Sequence, residues 1–95
     1  MRDVLLESGV TVVDPLGLHA RPAAELVRSA ESFRCDIWLE KDGLQVNAKS
    51  IMGVLMLAAE KGSQIVIKTK GEDAEQALKT LTDFISRGFG EIQGV

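Results

Sequence analysis

Residues 35–47 read CDIWLEKDGLQVN and predict a β-hairpin. Before the turn, apolar residues take every second position: Cys35, Ile37 and Leu39. This alternation is typical of a strand with one buried face. The dipeptide Asp42-Gly43 is a strong signal for a two-residue hairpin turn, because both residues tolerate positive φ. We therefore expect a second strand over Leu44–Asn47, paired antiparallel to the first.

Upstream of the hairpin, the sequence predicts one strand and one helix. The β-branched run Val10–Val13 lies between Gly9 and the turn-forming Asp14-Pro15, and Val4–Leu6 extends or precedes this strand. From Ala20 to about Ser32, small and apolar residues recur at intervals of three and four. These residues are Ala20, Ala23, Ala24, Val27 and Ala30. Pro22 falls in the first turn, where no intrahelical N–H bond is lost.

Downstream, Ser50 reads as the N-cap of a short helix, and Gly62 closes that region. Gln64–Thr69 forms a further strand. Asp73 and Gln76 have the spacing of a capping box at the start of the last helix. The apolar stripe of that helix is Ala74, Ala77, Leu78, Leu81, Phe84 and Ile85, and Gly88 and Gly90 end it.

The resulting order, βαββαβα, predicts an α+β fold with two layers. The helices should lie on one face of a largely antiparallel sheet, while the sheet order cannot be deduced from periodicity. A chain of 95 residues is too short for two independent cores, so we expect one domain over residues 1–95.

Composition excludes several classes of function. The net charge is −3 and aromatic content is 4%, which argues against DNA or RNA binding. Ile51–Ala59 is too short to cross a bilayer, and Met1–Asp3 lacks a signal-peptide layout, so we expect a cytoplasmic protein with no membrane insertion. With one histidine and one cysteine, we expect neither a disulfide nor a metal site, and no cofactor.

The strongest chemical signal is His19, the only histidine, placed where the first helix begins. A neutral imidazole is a competent nucleophile, and unpaired N–H groups at a helix N-terminus favour an attached anion. Arg21 offers further donors for phosphate oxygens. The alternative is a surface histidine beside a solvated arginine, and spacing alone does not decide between them.

Residues 17–24 read GLHARPAA, and residues 46–54 read VNAKSIMGV. The first segment resembles the active-site signature of the HPr family of the bacterial phosphotransferase system, and the second resembles the segment around that family's regulatory serine. The resemblance covers nearly the whole chain. It implies an open-faced two-layer sandwich with strand order 1-4-2-3.

The resemblance also implies that His19 is phosphorylated on Nδ1, with Arg21 stabilising the phosphoryl group. The donor is phosphorylated Enzyme I, which draws on phosphoenolpyruvate, and IIA components of sugar permeases are the acceptors in sugar uptake. The protein would then be a stoichiometric carrier rather than an enzyme, and we expect a monomer.

For Ser50 the resemblance implies a second role. In proteins of the Gram-positive type the serine is a target of HPr kinase/phosphorylase, and its phosphorylation favours a complex with a catabolite-control transcription factor. Ile51, Met52 and Leu55 match the family's docking patch. By contrast, Lys49, Lys61, Lys68 and Lys70 read as ordinary surface charges, and Cys35 reads as a core residue rather than a nucleophile.

The chain departs from the family pattern at two positions: Leu16 stands where many members have a polar residue, and Ala24 where threonine is frequent. Three other functions, besides RNA binding, fit the sequence less well. The presence of His19 argues against a purely regulatory module. A nitrogen-branch phosphocarrier stays an alternative, and the sequence around Ser50 favours it less. A hydrolase using His19 as a base lacks a Ser, Cys or carboxylate partner at a recognisable spacing.

Overall fold

The computed structural model describes residues 4–90, and the prediction made from Met1–Asp3 lies outside this range. The element order is βαββαβα, as predicted. The strands are β1 (Leu6–Thr11), β2 (Asp36–Lys41), β3 (Leu44–Asn47) and β4 (Gln64–Lys70). The helices are α1 (Ala20–Glu31), α2 (Ile51–Met56) and α3 (Ala74–Ser86).

The four strands form one sheet in the order β1-β4-β2-β3, with every pair antiparallel. This confirms the strand order 1-4-2-3 and the α+β class. The inward-facing side chains of the central strands are fully buried beneath the helices: Ile37, Leu39, Ile65, Ile67 and Thr69. Trp38, out of phase with Ile37 and Leu39, lies on the other sheet face and is half-buried.

The hairpin of β2 and β3 forms as predicted, with positive φ at both turn residues, 50° at Asp42 and 85° at Gly43. The prediction for β1 was wrong in its limits, because the strand spans Leu6–Thr11 instead of Val10–Val13. Thr11 pairs with Gln64, which is the first residue of β4. Residues after Thr11 therefore have no residue of β4 to pair with, and the strand ends there.

The buried face of α1 is rotated relative to the predicted one. Ala20 and Ala24 are exposed, while Pro22 and Leu26 are buried. The complete buried set is Pro22, Ala23, Leu26, Val27 and Ala30. These buried residues still recur at intervals of three and four, so the predicted helical periodicity is confirmed. The buried face is rotated about the helix axis, so that it includes the bulkier Pro22 and Leu26 in place of Ala20 and Ala24.

The predicted capping box at α3 is wrong, because the Asp73 side chain makes no cap hydrogen bond. Its carboxylate instead accepts the backbone N–H groups of Arg34 and Cys35, each at 2.9 Å. Burial opposes ionisation of Asp73, but these donors outweigh it and hold the carboxyl pKa below its usual value. Asp73 therefore fastens the start of α3 to the segment that enters β2.

The loop between β1 and α1 is held by backbone contacts. Asp14 accepts the N–H of Leu16 through Oδ1 at 2.7 Å and that of Gly17 through its carbonyl at 2.9 Å. Leu18 N–H then donates to the carbonyl of Ala59 at 2.8 Å. Gly17 has φ +69°, and a Cβ there would lie 2.5 Å from the Ala59 oxygen. Only glycine fits this position without displacement of the backbone.

We predict that Gly17→Ala lowers the free energy of unfolding by roughly 2 kcal/mol or more, because the new methyl group collides with backbone and the positive φ is strained. Urea denaturation measures the loss. Gly9→Ala is the matched control, since a Cβ at Gly9 meets nothing within 4 Å and its φ is not positive. Equal stability of the two variants would contradict this account of the loop.

We also predict that Asp73→Asn is about 1 kcal/mol less stable than the parent at pH 7, because an amide replaces the charged acceptor. The folded pKa lies below the unfolded value, so the contribution of Asp73 is complete above about pH 4 and disappears as the pH falls through the folded pKa. Urea denaturation at several pH values should show the difference shrinking in acid. A difference of the same size for the exposed control Asp36→Asn would contradict it.

Candidate functional site

His19 occupies the N-cap position of α1, with extended backbone at φ −85° and ψ −173°. Its carbonyl accepts the Ala23 N–H at 2.9 Å, and its own N–H donates to the Gly17 carbonyl at 3.0 Å. The backbone of His19 is therefore fixed on both sides. The imidazole makes no cap hydrogen bond and is half-buried, so it is held in place yet open to a reacting group.

The first turn of α1 offers free donors beside this imidazole. No acceptor for the backbone N–H of Ala20 or Arg21 lies within residues 4–90, and Pro22 has no N–H to satisfy. Such groups carry the positive end of the helix dipole. The arrangement is suited to holding an anion attached to His19.

Arg21 adds a full positive charge to the same turn. Its side chain is exposed, and no carboxylate of the described chain forms an ion pair with it. The guanidinium can therefore reorient toward an incoming phosphate without breaking an existing contact. The structure places both predicted residues, His19 and Arg21, at one end of one helix.

Ser50 is the N-cap of α2, which confirms its predicted structural role. Its backbone is extended, and its Oγ accepts the Gly53 N–H at 3.2 Å. Gly53 itself packs closely, because a Cβ there would lie 3.3 Å from the Cβ of Val46 on β3. The hydroxyl thus lies at the positive end of a short helix that is seated on the sheet.

Two contacts show how α2 lies along α1. After the end of α2, the Ala59 carbonyl accepts the Leu18 N–H near the start of α1. Lys49, which precedes α2, donates from its ammonium to the carbonyls of Phe33 and Cys35, each at 2.8 Å. Both of these carbonyls follow the end of α1. The two helices pack together and run in opposite directions.

His19 and Ser50 are consequently at opposite ends of the helix pair. The predicted candidates therefore do not converge on a single cluster.

The exposed surface of α2 is strongly apolar, as expected from its sequence. Met52 and Met56 are 68% and 65% exposed, and Ile51 and Leu55 are also exposed. Only Val54 of this helix is buried. Apolar side chains that a single buried face does not require are typical of a surface for protein partners, and the flexible methionines suit more than one of them.

The prediction for Lys49 was wrong, because its half-buried ammonium is held by two backbone carbonyls rather than by solvent. Lys68 also differs from an ordinary surface charge. It donates to Glu40 at 2.6 Å and to Gln45 at 3.1 Å on the open sheet face, and the bond to Glu40 raises the pKa of Lys68. No local sequence signal marked either lysine, since their partners come from distant segments.

Cys35 is a core residue, as predicted, with 2% exposure. Burial raises the pKa of its thiol to about 11, and a hydrogen bond to Asp73 adds to the increase. The thiol is therefore protonated near neutral pH and is a poor nucleophile.

Within residues 4–90, no three His, Cys, Asp or Glu side chains form a cluster that could hold a metal ion. None of the helices in this part of the chain is long and apolar enough to cross a membrane.

Comparison with known proteins gives a consistent family. Residues 6–87 match the family model described as PTS HPr component phosphorylation site. The phosphocarrier protein HPr of Neisseria meningitidis is 41% identical over 87 residues, covering 92% of this chain and 98% of the relative. The HPr-like protein Crh of Halalkalibacterium halodurans is 46% identical over 83 residues, covering 87% and 99%.

Solved structures agree with the sequence relatives. The phosphocarrier protein HPr from Bacillus anthracis superposes with a TM-score of 0.84 at 48% identity, covering 87% of this chain and 99% of that one. The match spans all seven described elements, including the first turn of α1 and the Ser50 cap. The chain belongs to the HPr family of phosphocarrier proteins of the phosphotransferase system.

Proposed function

We propose that His19 accepts a phosphoryl group on Nδ1 from phosphorylated Enzyme I and passes it to IIA components during sugar uptake. The observation that carries the proposal is the half-buried imidazole at the N-cap of α1, next to backbone N–H groups that have no acceptor within residues 4–90. Phosphoenolpyruvate is the original source of the phosphoryl group.

In this transfer the protein supplies a positioned imidazole nucleophile and positively charged or polar donors for the phosphoryl oxygens. The Nδ1 lone pair attacks phosphorus while the bond to the donor's leaving atom breaks, and the ring proton stays on Nε2. The free N–H groups of Ala20 and Arg21 and the Arg21 guanidinium stabilise the phosphoryl oxygens once the group is attached. The same exposure that admits the donor then admits the acceptor.

On this proposal the protein is a stoichiometric carrier. Similarity to proteins named phosphocarrier protein HPr supports this role. Each cycle therefore needs two partner proteins, and Ile51, Met52 and Leu55 provide an exposed apolar surface on which they can dock.

We also propose that Ser50 is a regulatory phosphorylation site, modified by HPr kinase/phosphorylase and then bound by a catabolite-control transcription factor. Similarity to Crh of Bacillus subtilis, whose solved structure is named Catabolite Repression HPr, supports a regulatory use of this fold. A phosphoserine adds about −1.5 to −2 charges at the start of α2, which the helix dipole tolerates. Because His19 is at the other end of the helix pair, the added charge would act on partners docked over α2.

We predict that incubation with phosphoenolpyruvate and Enzyme I adds one acid-labile phosphoryl group, seen by intact mass, and that His19→Ala abolishes it. Phosphohistidine is acid-labile, whereas a phosphoserine would survive brief acid treatment. Ser50→Ala is the matched control and should be labelled like the parent. Labelling that persists in His19→Ala, or no labelling of the parent while a known HPr is labelled in parallel, would refute the carrier role.

We predict that Ser50→Asp raises the KM of Enzyme I for this protein several-fold and changes kcat little, because the added charge weakens docking without reaching His19. Aspartate is also a good N-cap, so the variant keeps the cap hydrogen bond. Ser50→Ala loses about 1 kcal/mol of stability but adds no charge, and its KM should match the parent. Steady-state phosphorylation kinetics distinguish the variants, and an unchanged KM in Ser50→Asp would count against a regulatory role.

A further inference from the structure

Leu16 has an apolar side chain that is exposed to solvent rather than packed in the core. It is 76% exposed, the largest value among the large apolar side chains of residues 4–90. Its position is fixed, because its N–H bonds to Asp14 Oδ1 and the next two residues are held by the carbonyls of Asp14 and Ala59. The exposure therefore belongs to an ordered loop rather than to a frayed end.

Leu16 is also close to His19. Two residues, Gly17 and Leu18, lie between them, so their Cα atoms are at most about 11 Å apart. A protein that exchanges a phosphoryl group with His19 must bring its reacting atom to about 3–3.5 Å from the imidazole. A stable interface buries about 800 Å² on each partner, which corresponds to a patch of about 16 Å radius. An interface centred on His19 therefore extends over the position of Leu16.

We propose that Leu16 is a specificity-determining docking residue for the phosphoryl donor, which covers it with an apolar side chain. The proposal rests on the proposed function. The donor is the fitting occupant because, on the proposed function, one donor meets His19 in every cycle, whereas the acceptors are several IIA components. An apolar side chain held in an ordered loop suits that constant partner.

The side-chain chemistry of Leu16 separates this role from catalysis. A polar residue at this position could donate a hydrogen bond to the phosphoryl group, whereas leucine has no donor. Leu16 can therefore strengthen binding of the donor but cannot stabilise the phosphoryl oxygens. Its contribution should be found in KM and not in kcat.

The test is the steady-state phosphorylation of Leu16→Ala by Enzyme I and phosphoenolpyruvate, since alanine removes the apolar contact without adding a donor. We expect the KM for the carrier to rise roughly tenfold and kcat to stay within about twofold of the parent, as for loss of a buried leucine contact. Leu16→Met should restore a KM near the parental value. Because the side chain is exposed, the midpoint of thermal unfolding should not fall.

Leu5→Ala is the matched control, since Leu5 is 45% exposed and precedes β1 at the end of the strand opposite His19. A parental KM in Leu16→Ala, or an equal increase in Leu5→Ala, would overturn the proposal. A fall in kcat at constant KM would also overturn it, as would slower transfer to a IIA component with unchanged phosphorylation by Enzyme I. Labelling at His19 in all these variants shows that the proposed carrier function holds even where the docking proposal fails.

Discussion

The close approach of Gly17 to the Ala59 carbonyl is the constraint on which the site depends. With φ +69° and no Cβ, Gly17 lets the loop after β1 lie against the segment after α2, and the Leu18 N–H closes the contact at 2.8 Å. This contact sets where α1 begins. His19 therefore becomes its N-cap, with free N–H groups following it in the first turn.

The antiparallel pairing of α1 and α2 places two chemically distinct ends on one pair of helices. His19 and Arg21 lie at one end, Ser50 lies at the other, and the exposed Met52 and Met56 belong to α2. On the proposed function, phosphorylation at Ser50 would influence transfer at His19 through partners that dock on α2. Lys49 fastens the Ser50 end through two backbone carbonyls, as Gly17 fastens the other.

The features that could be predicted from the sequence are those that depend on a few neighbouring residues. Asp42-Gly43 predicted the hairpin and Ser50 the cap of α2, because a turn or a cap depends on a few neighbouring residues. The roles of Asp73 and Lys49 were missed, since their partners lie between 14 and 39 residues away in the chain. The limits of β1 depended on where β4 begins. The positions of His19 and Arg21 were predicted, whereas their separation from Ser50 required the tertiary arrangement.

On the proposed function, the first turn of α1 binds the phosphoryl group carried by His19. Amide proton and nitrogen shifts, compared before and after phosphorylation by Enzyme I and phosphoenolpyruvate, report on this binding. We expect the largest changes at His19, Ala20 and Arg21, and we expect the Gly53 amide, bonded to Ser50 at the other end, to stay near its original position. Changes centred on Ser50 and Gly53, with Ala20 and Arg21 unaffected, would contradict it.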